Sequence, residues 1–224
     1  SMRSRMFIAS ARDPRFARTL IYNGATFKGQ PVQSYVGGRN GRPLDGATPT
    51  SYYLRKHIVE ATSFVTGSEM SYQHIFPFFR YAEVLLNYAE ALAAATQNPD
   101  FTGMKGEVEY TLSPREALNA VRARYNMPGI TETDYAAFVK RLRNERRVEL
   151  AFEGHRFWDI RRWKIGAETT KVYGLTITPQ NDGSFSYMRS VIQQRGWEDR
   201  MNFYPIADAE LFKNHNLVQN DGWK

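Results

Sequence analysis

The sequence predicts a mainly α-helical protein with irregular loops and a small β-hairpin. Three segments have the apolar spacing and end signals of helices, whereas residues 1–76 are punctuated by glycine, proline, asparagine and threonine. A later segment has the alternation and turn residues of a hairpin. We therefore expect one domain over residues 1–224, with a loop-rich, ligand-facing segment at 1–76 and a helical scaffold at 77–224.

The first two predicted helices begin the scaffold. Alanine, leucine and glutamate dominate residues 79–96, and Asn98 and Pro99 end that helix. The second helix starts at Ser113 as N-cap, with Pro114 at its first position and Glu116 completing a capping box, and extends to about residue 126. We expect these two helices to pack as an antiparallel pair.

A third helix is predicted over residues 133–152, where apolar side chains recur at the spacing of one helical face. Gly154 interrupts this helix, and a short helix with Phe157, Trp158 and Trp163 follows it. Because Trp158 and Trp163 share that helix with many charged groups, we expect both rings to lie in the core.

Strands are predicted in three places. Short strands are expected at residues 19–22 and 52–58, on either side of a long glycine-rich loop. A hairpin is expected within residues 171–204, because two alternating segments flank a turn of Asn, Asp and Gly. A last short helix is expected near residues 208–213.

The composition excludes several classes of function. The chain has no cysteine, so disulfides, thiol catalysis and cysteine-bound zinc are excluded. The net charge is +7, but the 30 basic residues are interleaved with 23 acidic ones, which argues against a nucleic-acid partner. No apolar run approaches the ~20 residues of a membrane span. We expect no cofactor.

The most charged stretch is RNERRVELAFEGHRFWDIRRW at residues 143–163, which combines six arginines and four acids with four aromatic residues. Glu145, Glu149 and Glu153 recur every four residues, a spacing at which paired carboxylates can act in glycoside hydrolysis. Because the neighbouring arginines should lower the pKa of these carboxylates, a general acid is disfavoured.

An ion-pair network that joins helices is the favoured interpretation of this stretch. Buried acids need paired, hydrogen-bonded partners, and the planar fork of arginine suits a carboxylate. A metal site from His155 and Asp159 is disfavoured because arginine flanks the histidine, so no metal is expected. The expected members of the network are Glu83, Glu90, Arg122, Glu145, Arg146, Arg147, Glu149, Glu153, Arg156 and Asp159.

Several blocks of the sequence, in the same order, resemble the SusD/RagB family. They are RYAEVLLNYAEA at residues 80–91, ALNAVRARYNMP at 117–128, ERRVELAFEGHRFWDIRRW at 145–163, and an ending of YPI at 204–206, NLVQN at 216–220 and GW at 222–223. DPRF at residues 13–16 also looks like a family element. The family tends to have proline where this chain has Ala207, His215 and Asp221.

The resemblance implies a surface-exposed outer-membrane lipoprotein of Bacteroidetes-type bacteria that is not an enzyme. Such proteins capture glycans, or in some members peptides, and pass them to a SusC-like TonB-dependent transporter. Family members are usually much longer, with an N-terminal part of tetratricopeptide-like helix pairs. The chain is therefore expected to be the C-terminal portion, without that part, and to reach the membrane only through a lipid anchor on the absent N-terminus.

The ligand contacts of the family are not in these blocks, so the candidate site comes from the residues themselves. A sugar-binding site needs aromatic rings for the apolar sugar face, beside polar groups for the hydroxyls. The loop-rich segment at residues 22–53 offers this mixture, and a tryptophan on a later loop is a second candidate. The predicted glycan-binding residues are Tyr22, Phe27, Tyr35, Arg39, Asn40, Asp45, Tyr52 and Trp197.

Overall fold

The computed structural model describes residues 12–223. Its helices are α1 (Arg15–Thr19), α2 (Tyr81–Thr96), α3 (Pro114–Ala123), α4 (Tyr135–Glu149), α5 (His155–Arg162) and α6 (Asp208–Lys213). Its strands are β1 (Leu20–Ile21), β2 (Thr26–Phe27), β3 (Gln30–Pro31), β4 (Tyr53–Leu54), β5 (Gly103–Lys105), β6 (Val108–Tyr110), β7 (Lys171–Pro179) and β8 (Phe185–Gln194). None of these helices combines the length and apolar composition that crossing a membrane requires.

The described residues form two compact units. The first unit contains residues 12–32 and 53–153, and the second contains residues 33–52 and 154–223. The glycine-rich loop at 33–52 therefore belongs with the C-terminal residues, because its partners in space are strands that lie far from it in sequence.

The core of the first unit lies between α2, α3 and α4. Leu86, Leu118, Phe138 and Leu142 are fully buried there. Phe138 and Leu142 are one helical turn apart, so both side chains leave α4 on the same face. The three helices predicted from the apolar spacing are present, each with slightly shorter ends.

The start of α3 follows the predicted capping box. The Ser113 hydroxyl accepts a hydrogen bond from the Glu116 backbone N–H at 3.2 Å, and the Glu116 carboxylate accepts one from the Ser113 backbone N–H at 2.8 Å. These reciprocal bonds satisfy donors that would otherwise be unpaired at the helix end. The boundary of α3 is thus set by local chemistry.

Small antiparallel strand pairs complete the first unit. β1 pairs with β4, with Leu20 opposite Leu54, and both lie within the two strand segments predicted from the sequence. The β2–β3 and β5–β6 hairpins were not predicted from the sequence. Their strands are only two or three residues long, which is too short for an alternating pattern to be recognised.

The predicted hairpin organises the second unit. β7 and β8 pair from Lys171 opposite Gln194 to Pro179 opposite Phe185, with an irregularity after Val172. The loop at 33–52 runs along β7, where the backbone N–H of Val36 donates to the Ile177 carbonyl at 2.8 Å and the Ser51 hydroxyl donates to the Leu175 carbonyl at 2.7 Å. The loop is therefore ordered by the hairpin.

The capping box can be tested by a Ser113→Ala substitution. We expect the free energy of unfolding to fall by about 1 kcal/mol, because the hydroxyl that accepts the helix N–H is lost. Urea denaturation followed by circular dichroism measures the change. Thr111→Ala, at an exposed position just before the cap, is the matched control. Equal losses in the two variants would contradict the capping role.

Candidate functional site

An aromatic cluster surrounds one arginine in the second unit. The guanidinium carbon of Arg161 lies 3.5 Å from the ring centroid of Phe157, 5.3 Å from that of Trp197 and 5.8 Å from that of Tyr204. Phe157 and Arg161 are one turn apart on α5, so they share one helical face. Each ring offers its negative face to the cation. We call Phe157, Trp158, Arg161, Trp197 and Tyr204 the aromatic cluster.

Much of the aromatic cluster is open to solvent. Trp158 is 61% exposed, Tyr204 60% and Phe157 38%. The Phe157 ring contacts Trp158 edge-on at 5.0 Å between centroids and is stacked with Tyr204 at 6.1 Å. The expectation that Trp158 lies in the core is wrong, because α5 buries Asp159 and turns Trp158 outward. Exposed apolar surface of this kind marks interaction sites.

Trp197 joins the cluster through close packing on the backbone. A Cβ atom placed on Gly166 would lie 1.8 Å from Cε2 of the Trp197 ring, so only glycine leaves room for this contact. The ring is partly buried and lies beside Arg161. Trp197 therefore packs in a fixed position beside Arg161, with part of its surface exposed.

The loop at 33–52 holds five further predicted residues, which are Tyr35, Arg39, Asn40, Asp45 and Tyr52. The Tyr35 ring lies 5.1 Å from that of Phe185 on β8. The Asn40 side-chain oxygen accepts a hydrogen bond from the Gln33 backbone N–H at 3.0 Å, so this amide shapes the loop. Arg39 and Asp45 are exposed, whereas the two tyrosines are partly buried.

The remaining two predicted residues lie in the first unit. The Tyr22 ring is stacked on Phe16 at 5.2 Å between centroids, and Phe27 lies in β2. Both are partly buried. The predicted glycan-binding residues therefore divide between the units. The structure gathers five of them in one loop and places Trp197 in the aromatic cluster.

Sequence reasoning missed Phe157, Trp158, Arg161 and Tyr204 as candidates for binding. Phe157, Trp158 and Arg161 lie in the charged stretch that is interpreted above as structural, with Trp158 in the core. The sequence does not say which face of so short a helix is buried.

A buried ion network in the first unit centres on Arg15 and α4. Nη1 of Arg15 donates to Glu145 at 2.5 Å and to Glu149 at 2.9 Å, while Nη2 donates to Asp13 at 2.6 Å. Nη1 of Arg122 donates to the second oxygen of Glu145 at 2.7 Å. Arg15 is only 4% exposed. A buried charge without an oppositely charged partner is destabilising, so Arg15 and the carboxylates stabilise the fold only as a set.

The network continues one turn further to Glu153. Nε of Arg80 donates to Glu153 at 2.7 Å, and Nη1 of Arg80 donates to Glu149 at 2.9 Å. The Lys56 ammonium donates to Glu153 at 2.5 Å. Burial alone would raise the pKa of Glu153, but the bonds from Arg80 and Lys56 outweigh it and hold this pKa below its usual range.

Glu153 is unsuited to general-acid chemistry. Glu145, Glu149 and Glu153 each accept hydrogen bonds from cationic side chains, and those from Arg80 and Lys56 hold the pKa of Glu153 below its usual range. A glycosidase acid needs a raised pKa so that it holds a proton at working pH. Glu153 therefore lacks the property that a general acid requires, and the shared ion pairs join segments that are distant in sequence.

The network differs in membership from the one predicted. Arg147 is exposed and has no ion-pair partner among residues 12–223, so it lies outside the network. Arg156 and Asp159 belong to the second unit, where Asp159 accepts a hydrogen bond from Arg162 at 2.9 Å. Arg146 is buried and donates to the Asn87 side chain at 2.5 Å.

The remaining predicted members, Glu83 and Glu90, lie on α2, where Glu83 is buried and Glu90 partly buried. Asp13, Arg15, Lys56 and Arg80 were not predicted as members. These residues lie far from α4 in sequence, so no local pattern connects them to its carboxylates. The DPRF block at 13–16 and the block at 80–91, which begins at Arg80, were the sequence signals that contained some of these residues.

The comparisons with known proteins identify the family. The model of the SusD family (SusD_RagB) matches residues 7–223. The chain belongs to the SusD family. A curated relative, SusD-like protein P2 of Formosa agariphila, is 33% identical over 146 residues, which is 63% of this chain and 24% of that protein.

Two crystal structures from Bacteroides fragilis share the fold. A SusD-like protein has 29% sequence identity and a TM-score of 0.77, over 98% of this chain and 41% of that one. A SusD-like carbohydrate binding protein has 29% identity and a TM-score of 0.64, over 94% of this chain and 42% of that one. The chain thus spans less than half the length of the relatives it matches.

The structural role of the ion network predicts a difference between two substitutions on α4. Glu145→Ala should lower the free energy of unfolding by about 3–5 kcal/mol, because it leaves Arg15 buried with one fewer partner. Arg147→Ala, at the exposed position two residues later, should change it by less than about 0.5 kcal/mol. Urea denaturation measures both. Similar losses would mean that the buried pairs do not control stability.

The lowered pKa values predict how stability depends on pH. The pKa of Glu153 lies below its ordinary 4.5, and that of Asp13 lies below 3.8 because of its hydrogen bond with Arg15. Such groups stabilise the folded state fully above the unfolded pKa, and this contribution is lost as the pH falls through the folded pKa. We therefore expect the free energy of unfolding to decrease as the pH falls below 4.5.

Glu153→Gln provides the control for this pH dependence, because glutamine cannot titrate. Urea denaturation at several pH values should show a shallower acid-side slope in the variant than in the unsubstituted chain. An unchanged slope would mean that Glu153 does not contribute to the acid sensitivity.

Proposed function

We propose that this protein is a non-catalytic, cell-surface glycan-binding protein. It captures an oligo- or polysaccharide and delivers it to a SusC-like TonB-dependent transporter of the outer membrane. The observation that carries the proposal is the solvent-open aromatic cluster around Arg161, in which Trp158 and Tyr204 are each about 60% exposed.

The chemistry of the aromatic cluster suits a sugar. A pyranose ring has an apolar face of C–H groups, which an aromatic ring can cover, and an edge of hydroxyls, which needs polar partners. Trp158 and Tyr204 supply the rings, and the Tyr204 hydroxyl is a polar group beside them. The Phe157 and Arg161 contacts hold these rings in a fixed arrangement, so that little order is lost on binding.

The loop at 33–52 is a second source of sugar contacts in this proposal. Arg39 and Asp45 are exposed polar groups, and Tyr35 rests against Phe185. The tyrosines at 22 and 52 and Phe27 remain candidates as well. Membership of the SusD family supports glycan binding, and one similar structure is described as carbohydrate binding.

An enzymatic role is disfavoured. The glutamates with hydrolase spacing are Glu145, Glu149 and Glu153, and all three are held by arginine or lysine. Suppose that the protein hydrolyses a bound glycan and that this activity is lost in a folded Glu145→Gln variant. That result would identify the protein as a glycoside hydrolase.

The complete protein would act at the outer membrane. In our proposal, a lipid anchor and tetratricopeptide-like helix pairs lie in a further N-terminal part, and the transporter receives the ligand. Recovery of a TonB-dependent transporter with the tagged complete protein from native membranes tests the partnership. Recovery of the protein without any transporter would contradict it.

Isothermal titration calorimetry against panels of polysaccharides and peptides tests the ligand class. We expect a polysaccharide to bind, and Trp158→Ala to weaken it at least tenfold, which corresponds to about 1.4 kcal/mol, because the ring supplies a large contact area. Phe212→Ala is the matched control, since Phe212 is 78% exposed on α6 and lies outside the cluster.

The outcomes separate the alternatives. Binding of peptides and not of polysaccharides would identify a peptide-uptake protein of the same family. If the Trp158→Ala and Phe212→Ala variants bind the glycan with equal affinity, the aromatic cluster is not part of the binding site. Tyr35 and Arg39 would then be the leading candidates.

A further inference from the structure

A polar cleft of about 700 Å³ lies in the second unit, at the end of the described chain. One wall is the turn at Asp199–Asn202 with Phe203, and the other is formed by residues 218–221. Lys164, just after α5, completes the lining. We call this feature the C-terminal cleft; none of the sequence predictions pointed to it. Its volume is that of a site for a small ligand.

The walls of the C-terminal cleft are held together by side chains that bond to the backbone. The indole N–H of Trp223 donates to the carbonyls of Arg200 at 3.0 Å and Phe203 at 3.1 Å. The Asn220 amide donates to the Tyr204 carbonyl at 2.6 Å. Because these bonds exist before any ligand arrives, the shape of the cleft is preorganised.

Other polar groups of the cleft lack partners. The Asn202 side-chain oxygen is buried and accepts no hydrogen bond, although its NH₂ group donates to the Asp199 carbonyl at 2.8 Å. The carboxylates of Asp199 and Asp221 and the ammonium of Lys164 make no ion pair or hydrogen bond within the described chain. A buried oxygen without a donor is unfavourable, so a ligand that supplies an O–H group would stabilise it.

The cleft adjoins the aromatic cluster along the chain. Phe203, which lines the cleft and is 63% exposed, is followed directly by Tyr204 of the cluster. Lys164 lies three residues after Arg161, and its backbone N–H donates to the Arg161 carbonyl at 3.0 Å. The two features are therefore adjacent along the chain.

The cleft carries charges of both signs. Asp199 and Asp221 share it with Lys164 and with Arg200, whose guanidinium is paired with Glu198. Among residues 12–223, no group of three or more acidic or histidine side chains is placed to hold a metal ion. Carboxylates accept hydrogen bonds well from adjacent hydroxyl pairs, and Phe203 provides a ring for stacking.

We propose that the C-terminal cleft is a second subsite, which binds a neutral sugar unit of the same glycan chain that rests on the aromatic cluster. The inference rests on the proposed glycan-binding function. Asp199 and Asp221 accept the sugar hydroxyls, one hydroxyl donates to the Asn202 oxygen, and Phe203 covers the apolar face. The cleft thereby selects for chain length as well as for sugar type.

Calorimetry with a size series of the neutral oligosaccharide that binds best tests the proposal. In the unsubstituted chain, we expect affinity to rise about tenfold or more once the oligosaccharide reaches both subsites. Phe203→Ala and Asp221→Asn should abolish this rise while leaving the affinity for the shortest bound oligosaccharide unchanged. Trp158→Ala should weaken all lengths, and Phe212→Ala should weaken none.

Nuclear magnetic resonance gives a direct readout of the cleft. With ¹⁵N-labelled chain and the same oligosaccharides, the side-chain amide signals of Asn202 should shift only with the longer members. The conservative Asp221→Asn variant keeps the test valid if Phe203→Ala is poorly folded. Calcium chloride is titrated separately. If calcium alone shifts the Asn202 signals, the cleft is a cation site rather than a sugar subsite, and the proposal is overturned.

The failures are distinguishable. A length-dependent gain that persists in both cleft variants overturns the second subsite while the proposed function stands, provided that Trp158→Ala still weakens binding. Loss of length dependence in the cleft variants together with an unaffected Trp158→Ala variant supports the cleft and contradicts the aromatic cluster. Absence of binding by every glycan overturns both proposals.

Discussion

The contact of Arg15 with three carboxylates is the interaction on which the first unit depends. Arg15 bonds to Asp13, Glu145 and Glu149, so buried ion pairs join the segment that contains α1 to α4. Neither a buried guanidinium nor a buried carboxylate is tolerable alone, because each has lost its hydration. Arg122 of α3 also pairs with Glu145, so the network joins α3 to α4, two of the helices that form the apolar core.

This use of charge divides the most polar stretch of the chain into two parts with different roles. The acidic side chains of the α4 part form structural ion pairs. The α5 part carries Phe157 and Trp158 beside Arg161, and Trp158 is 61% exposed. Asp159 is the buried residue of this short helix. The scaffold and the candidate binding surface are therefore neighbours in sequence but lie in different units.

Local patterns predicted the helices well, and the reason is visible in α3. Its start follows from the Ser113 and Glu116 bonds, which involve only residues three apart. The β7–β8 hairpin was also predicted, because its turn lies between its strands. Elements whose partners are distant were harder to predict. The loop at 33–52 is ordered by β7, and nothing in the loop sequence identifies Ile177 or Leu175 as its partners.

The sequence by itself determined the helical scaffold, the hairpin and the SusD family, because periodicity, caps and ordered blocks are properties of neighbouring residues. It also showed that the glutamates of α4 would need basic partners. Only the tertiary structure decided which bases those are, that Trp158 faces solvent, and that Asn202 and Asp221 line one cleft. Ion pairs, side-chain exposure and clefts depend on tertiary contacts between segments that are distant in sequence. The pattern of neighbouring residues does not specify those contacts directly.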